Sequence, residues 1–223
     1  GGLNLAQFNA NPRQSRPATS TIPSARDQRA GIFNKTAMMG ISNRFILSDH
    51  WKMVTSFSTS ITGFKNPFIT NFEKRKEANL GIRSKFVYET KLPFPLQWVN
   101  GVEVQRGDYT IDSSGNNKGV SDGKMVRDLV VARQQFFFSQ LSAHPFEFIQ
   151  VQAGISVNSF NYAIERTVGL PASGNKKIAF DAQVLPRFAL TIQPIKAVAF
   201  YGQLSKGYSS PTLAEIRPSA GGL

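Results

Sequence analysis

Cysteine is absent from this 223-residue chain, and histidine occurs only at His50 and His144. No disulfide framework, thiolate nucleophile or Cys-ligated zinc is available. Two isolated histidines, each beside a turn signal, supply too few ligands for a His-rich metal site. Long apolar runs are missing too. Stretches such as Leu129–Ala132 and Phe136–Phe138 fall far short of the about 18 residues that a membrane helix needs. That shortage does not exclude a membrane strand, which turns only alternate residues to lipid and keeps its average polarity near that of a soluble protein. The mean hydropathy of -0.21 fits either case. Acidic residues are scarce, 14 against 26 basic, for a formal charge of +12. No initiator Met or apolar signal segment opens the chain, which runs from Gly1-Gly2-Leu3 to Gly221-Gly222-Leu223; this reads as an internal piece of a longer protein.

What the chain does have is phenylalanine, 18 of 223 residues, set in period-two patterns. Met53, Phe57 and Ile61 share one face against Ser56, Ser58, Ser60 and Thr62. Leu80, Ile82, Phe86 and Tyr88 oppose Arg83, Lys85 and Glu89, and Trp98, Val102 and Val104 oppose Gly101, Glu103 and Gln105. From Ile178 to Ile192 nearly every even position is large and apolar, with Asp181, Gln183, Arg187 and Thr191 among the odd ones. Such alternation is the mark of strands. Between Arg127 and Leu141 both faces are apolar, which suggests a bulge or register change. Pro186 removes a ladder donor and calls for a bulge or local distortion.

Connection lengths carry more. Ser48-Asp49-His50, Lys91 to Leu96, Ala143-His144-Pro145 and Gln193-Pro194-Ile195 are tight, while polar stretches at 1–35, 64–78, 109–125 and 161–177 are long, in strict alternation. Long strands with loops sorted by length are expected of an outer-membrane barrel, with short periplasmic turns and long extracellular loops. A soluble sandwich has strands of about five or six residues and no such sorting. The expected fold is all-β: an antiparallel transmembrane β-barrel segment of about eight strands in four hairpins. The strands are placed at 36–47, 52–63, 78–91, 97–108, 126–142, 146–160, 178–192 and 197–208, within 36–209. Residues 1–35 form an extracellular loop, and 210–223 begin the next one. Trp51, Phe94, Trp98, Phe146 and Phe148 gather at the short turns. Phe64, Phe68, Phe72, Tyr109, Phe160, Tyr162 and Tyr208 gather at the opposite ends, as two aromatic girdles would.

Eight of the twelve net positive charges fall in the four long stretches, four of them in 1–35. Charge spread over one rim differs from the continuous basic face of a nucleic-acid binder, so nucleic acid is not expected as a partner. Arg13, Arg16, Arg26, Arg29 and Lys35, with Tyr109 and Tyr162, are the candidate ligand contacts; the basic group could also meet lipopolysaccharide phosphates or steer an anionic ligand inward. Arg83, Lys85, Glu103, Asp181 and Arg187 are expected as polar lumen residues joined by salt links. No nucleophile–base pair or paired catalytic carboxylates are apparent, and Ser173-Gly174-Asn175-Lys176 lacks the frame of a phosphate loop. Arg106-Gly107-Asp108 resembles a cell-adhesion tripeptide at a strand exit, where chance explains it. No enzyme, cofactor or metal is expected.

The last hairpin, Leu185-Pro186-Arg187-Phe188 through Gln193-Pro194 into Val198–Tyr208, is followed by Ser209-Ser210-Pro211-Thr212-Leu213-Ala214-Glu215. This resembles the barrel of TonB-dependent outer-membrane receptors of the siderophore type, most of all at Gly207, Tyr208, Pro211, Thr212 and Glu215. Asn100-Gly101-Val102-Glu103 and Asn66–Glu73 also resemble it, as does Ala153-Gly154-Ile155, where Ser156 stands in place of the usual Arg. The resemblance implies a 22-stranded barrel with an N-terminal plug, sited in the outer membrane of a Gram-negative bacterium. It implies uptake of an iron chelate or other scarce nutrient, powered by the TonB complex through the plug; neither plug nor TonB box lies in these residues. Outer-membrane lipid and lipopolysaccharide are the other implied partners. A porin, an autotransporter domain or a secreted soluble β-protein remain as other readings.

Overall fold

A computed structural model describes residues 2–123, 125–169 and 173–217. Eight long or medium strands follow in sequence: β1 (Phe33–Ile46), β2 (Trp51–Pro67), β3 (Asn71–Thr90), β4 (Leu96–Asn117), β6 (Val126–Phe146), β7 (Ile149–Val168), β8 (Ser173–Ile195) and β9 (Val198–Ser205). A two-residue strand β5 (Val120–Ser121) pairs with the end of β4. Every neighbouring pair is antiparallel, in the order β1-β2-β3-β4-β6-β7-β8-β9. Among the described residues β1 and β9 are not paired with each other, so the sheet is open. Short helices α1 (Leu5–Ala10) and α2 (Leu213–Ile216) lie outside it.

The alternation read from the sequence sorts side chains between two faces. One face, here called inner, carries the buried cluster Ile111, Val130, Ala132, Tyr162 and Ile164. The other is apolar and open. Register aligns Ile41, Phe57, Ile82 and Val104 in one row, and Val102, Phe137, Val157 and Val184 in another. Their exposure is large: 71% for Ile41, 50% for Ile82, 49% for Phe137. From Tyr88 to Leu80 this band is about 26 Å tall along the strand, near the ~25 Å apolar band of a membrane barrel. Trp51, Tyr88 and Trp98 close it at the short-turn end, with centroids 5.0 Å apart for Trp51–Tyr88 and 6.5 Å for Trp51–Trp98.

Several expectations need correcting. The long polar connections are not coil: most of 64–78, 109–125 and 161–177 continues the strands, so β3, β4, β6, β7 and β8 run to 20–23 residues. Only 68–70 separate β2 from β3, and residues 170–172 lie outside the described set. The sequence hid this because Glu73-Lys74-Arg75-Lys76-Glu77 puts charge on both faces and shows no apolar period. The turns after β6 and β8 fall at 147–148 and 196–197, beyond the expected Ala143–Pro145 and Gln193–Ile195. Pro145 and Pro194 instead sit in register shifts, at Ala143/Phe146 and Ile192/Ile195, where no ladder donor is demanded of them.

Pro186 itself causes no bulge; the pairing of β7 with β8 is continuous around it. Its carbonyl accepts from the Lys206 amide at 3.1 Å, just past the end of β9. The missing N–H points to that same side, where the ladder has stopped. The distortion lies nearer the top, between the pairs Asn158↔Gln183 and Phe160↔Phe180. That extra residue in β8 reverses the faces, so Ile178 and Phe180 join the inner cluster while Val184, Phe188 and Leu190 face outward. For β6, pairing with β7 shifts at Arg127/Asp128 and is then unbroken to Ala143; both faces are apolar because Val130 and Ala132 are core and Leu129 and Val131 belong to the outer face. The upper aromatic girdle dissolves likewise. Tyr109, Phe160 and Tyr162 pack inward, with Phe160–Tyr162 centroids at 4.7 Å, and Phe72 is 3% exposed.

Candidate functional site

The chain leaves β9 at Ser205 and folds back across the upper inner face. Leu213 and Ile216 of α2 pack on the cluster around Ile111, Val130 and Ile164. Thr212 starts the turn: its amide and its hydroxyl both donate to Glu215 Oε2, at 2.6 and 2.9 Å. Those two bonds hold the exposed Glu215 carboxyl below its ordinary range. The Tyr162 hydroxyl donates to the Pro211 carbonyl at 3.0 Å. Residues 206–217 thus form a cap, fixed by apolar contact, a tyrosine and a capped turn.

The cap's last described residue, Arg217, carries the strongest tie. It donates to Asp128 Oδ2 from Nε (3.0 Å) and Nη2 (2.9 Å), to Glu73 Oε2 (3.1 Å) and to Ser113 Oγ (3.2 Å). Arg166 grips the same Asp128 through Nε (2.7 Å) and Nη2 (3.1 Å). Asp128 is fully buried and Arg166 is 1% exposed. Burial alone would raise the Asp128 carboxyl, but the bonds and charges of Arg166 and Arg217 outweigh it and hold it below the carboxylate range. A buried carboxylate gripped by two guanidiniums is costly to break from either side.

Beneath the cap the inner face opens into a groove of about 520 Å³, lined by Ser58, Ser60, Asn79, Gln105, Tyr109 and Gln134 among others. Its floor is smooth because Gly81 and Gly107 lack side chains; the Tyr109 ring lies over Gly107, where a Cβ would collide with it. The Tyr109 hydroxyl donates to Asn79 Oδ1 at 3.0 Å. These groups are neutral donors and acceptors. Charged rungs flank them lower down: Arg83–Glu103 at 3.6 Å and Lys52–Glu89 at 2.6 Å. The Arg83 guanidinium also sits 5.3 Å from the Phe138 ring centroid.

The residues expected from sequence scatter across this frame. Tyr109 lines the groove and Tyr162 is held under the cap. Arg13, Arg16, Arg26 and Arg29 lie in the segment before β1, which docks on the upper hairpins where the Asn116 amide donates to the Gln28 carbonyl at 2.8 Å. Lys35 stands on the outer face, opposite Gly63. Among the described residues none of these five bases pairs with a carboxylate. Arg83, Lys85 and Glu103 face inward, and Arg83 and Glu103 meet; Asp181 and Arg187 do not, since Arg187 donates to Gln203 Oε1 at 3.2 Å. Pro211, Thr212 and Glu215 build the cap, and Gly207 and Tyr208 lead into it. Sequence reasoning missed Asp128, Arg166 and Arg217 as a unit. They sit 38 and 89 residues apart, and no local pattern couples them; the one available signal was Asp128 on the face that also carries Val130 and Ala132.

No family model matches the chain, and no curated protein matches it in sequence. Its all-β fold, one sheet of antiparallel strands, is similar to the barrel walls of two solved structures. The structure of the ferric citrate transporter FecA in the unliganded form matches 91% of this chain with a TM-score of 0.65 at 10% identity. The ferric yersiniabactin uptake receptor FyuA from Yersinia pestis matches 81% with a TM-score of 0.53 at 12% identity. The matched regions are 30% and 28% of those chains, so this chain spans under a third of the proteins it resembles.

Proposed function

We propose that this chain is part of the barrel of a TonB-dependent outer-membrane receptor for active uptake of a ferric siderophore or similar scarce nutrient. The observation that carries the reading is the division of faces: an exposed apolar band across seven strands, backed by an inner face whose groove and lower rungs are polar and whose upper apolar cluster is covered by a folded cap. A soluble protein does not leave so large a contiguous apolar patch in water, and the lumen of a membrane barrel is polar. The fold likeness to two ferric-chelate receptors supports the cargo class, as does the positive rim. The cap and the tall paired hairpins suit a receptor that captures ligand more than an open pore. In this reading the wall positions and steers; it carries out no catalysis.

The test uses the full-length protein. Cells expressing it should place it in the outer membrane and take up a radiolabelled ferric chelate, and uptake should stop when the TonB complex is deleted. Uptake that persists without TonB, or a steady ion conductance in planar bilayers, overturns the receptor reading in favour of a porin.

A further inference from the structure

The inner face of β2 carries an unbroken column of hydroxyls: Ser56, Ser58, Ser60 and Thr62. The two ends of the column are engaged within the sheet. Ser56 shares a hydrogen bond with Ser42 of β1, and Thr62 with Thr36, each at 2.9 Å. The middle pair, Ser58 and Ser60, opens into the groove beneath the cap. Two adjacent rungs of the sheet make that groove. The lower runs Gly40, Ser58, Gly81, Gln105, Gln134 and Phe160 from β1 to β7, and the upper includes Ser60, Asn79 and Gly107. From Gly40 to Gln105 the floor crosses three strand spacings, about 14 Å. The volume of about 520 Å³ falls in the range of small-molecule sites, about 300–1,000 Å³.

The polar groups in the groove are only partly used. Gln134 Nε2 donates to Asn158 Oδ1 at 3.1 Å, the Gln105 amide N–H to Glu103, and Asn79 Nδ2 to Ser60 Oγ at 3.3 Å. Among the described residues that leaves the side-chain carbonyls of Gln105 and Gln134, the Ser60 O–H and the whole Ser58 hydroxyl without a partner. The free set therefore mixes acceptors with donors. An anion can use only the donors and a metal cation only the acceptors, whereas a ligand hydroxyl is both at once. Charge at the margins is already engaged. Arg106 borders the groove, but its guanidinium lies on the outer face and pairs with Asp108 at 2.8 Å. Arg83 and Glu103, one rung lower, face each other at 3.6 Å. Phe160 closes the β7 end with an aromatic ring, on whose electron-rich face C–H groups can lie.

We infer that this groove binds a neutral, polyhydroxylated ligand about the size of a disaccharide, held by Ser58, Ser60, Gln105 and Gln134 and stacked at one end on Phe160. The inference rests on the barrel placement proposed above, which makes this face a lumen wall. It goes beyond that reading by giving the wall a site for an uncharged solute, apart from the basic rim.

The test is calorimetric titration of the full-length protein with sucrose, in a detergent whose headgroup carries no sugar, with ferric citrate as the charged comparison. Sucrose should bind saturably. Ser58→Ala and Gln134→Ala should each weaken it about 2- to 10-fold, the loss of one neutral hydrogen bond, and Ser58→Trp should abolish it by filling the floor. Ser42→Ala, one rung below and outside the groove, should leave the affinity unchanged. Absence of saturable sucrose binding, unchanged affinity in both groove alanine variants, an equal loss in Ser42→Ala, or ferric citrate bound as tightly through the same residues would each overturn the site. TonB-dependent chelate uptake without sucrose binding sinks this site alone. Sucrose binding that depends on Ser58 and Gln134, in a protein whose uptake ignores TonB, sinks the receptor reading and keeps the site.

Discussion

At the scale of single residues, Asp128 decides how the upper inner face is held. It lies beyond the apolar band, fully buried between Arg166 and Arg217. Replacing it by Ala takes from Arg166 and Arg217 the buried carboxylate they share, and breaking such a buried pair costs about 3–5 kcal/mol. The expected outcome for Asp128→Ala is a lowered Tm of the full-length protein and new protease cleavage near Arg217. The pH dependence follows from the direction of its shift. A carboxyl held below its ordinary value of 3.8 contributes stability that is fully present above that value and is lost as pH falls through its lower folded value. Hydrogen-exchange protection factors of residues 206–217 should therefore stay flat from neutral pH to about 5 and fall only below about 4. An opening centred near pH 6 would contradict the assignment of Asp128 as the anchor. Little of this was legible in the sequence: Asp128 shares a face with Val130 and Ala132, but Arg166 and Arg217 are ordinary charges in separate stretches.

At the scale of elements, the strands with an apolar outer face and a more polar inner one were legible, because Leu80 to Tyr88 and Trp98 to Val104 alternate with few breaks, Ser84 and Asn100 among them. What stayed hidden has physical causes. A bulge leaves no mark when the residues around it keep alternating, so Ile178 and Phe180 read as one face with Val184 and Phe188. The paired ribbons above the band were missed because Lys74, Arg75 and Lys76 give no contrast between faces, yet cross-strand contacts such as the Arg75 guanidinium 4.9 Å from the Phe64 ring centroid support them. Two predictions belong here. Ile82→Arg, in the middle of the outer band, should cost about 2–4 kcal/mol of folding into vesicles, read by urea titration, whereas Ser58→Arg on the inner face should cost far less. Gly101→Val should destabilise by about 1–3 kcal/mol, because a Cβ there collides with the Phe138 ring and comes within 3.1 Å of the Ser84 carbonyl. A second change, Phe138→Ala, should restore part of that loss.

For the whole molecule, the open sheet is the governing fact. Among the described residues β1 and β9 each have one edge with no partner strand, and such edges recruit other strands. In a lipid environment they are not tolerated unless closed. Residues 1–223 expressed alone should aggregate in plain buffer and need detergent to stay dispersed. A sharp two-state unfolding transition of that polypeptide in buffer, seen alike by circular dichroism and fluorescence, would count against a barrel wall.

The cap has a consequence for assembly. Its anchors reach from Arg217 back to Asp128 and Glu73, across 89 and 144 residues of chain. Hairpins can zip locally, but contacts of such long range form late because so much chain must be ordered first. Residues 206–217 can dock only after β3, β4, β6 and β7 stand side by side in register. Resistance of the Arg217 region to protease would then act as a clock for biogenesis, appearing after the strands have acquired their pairing and never before.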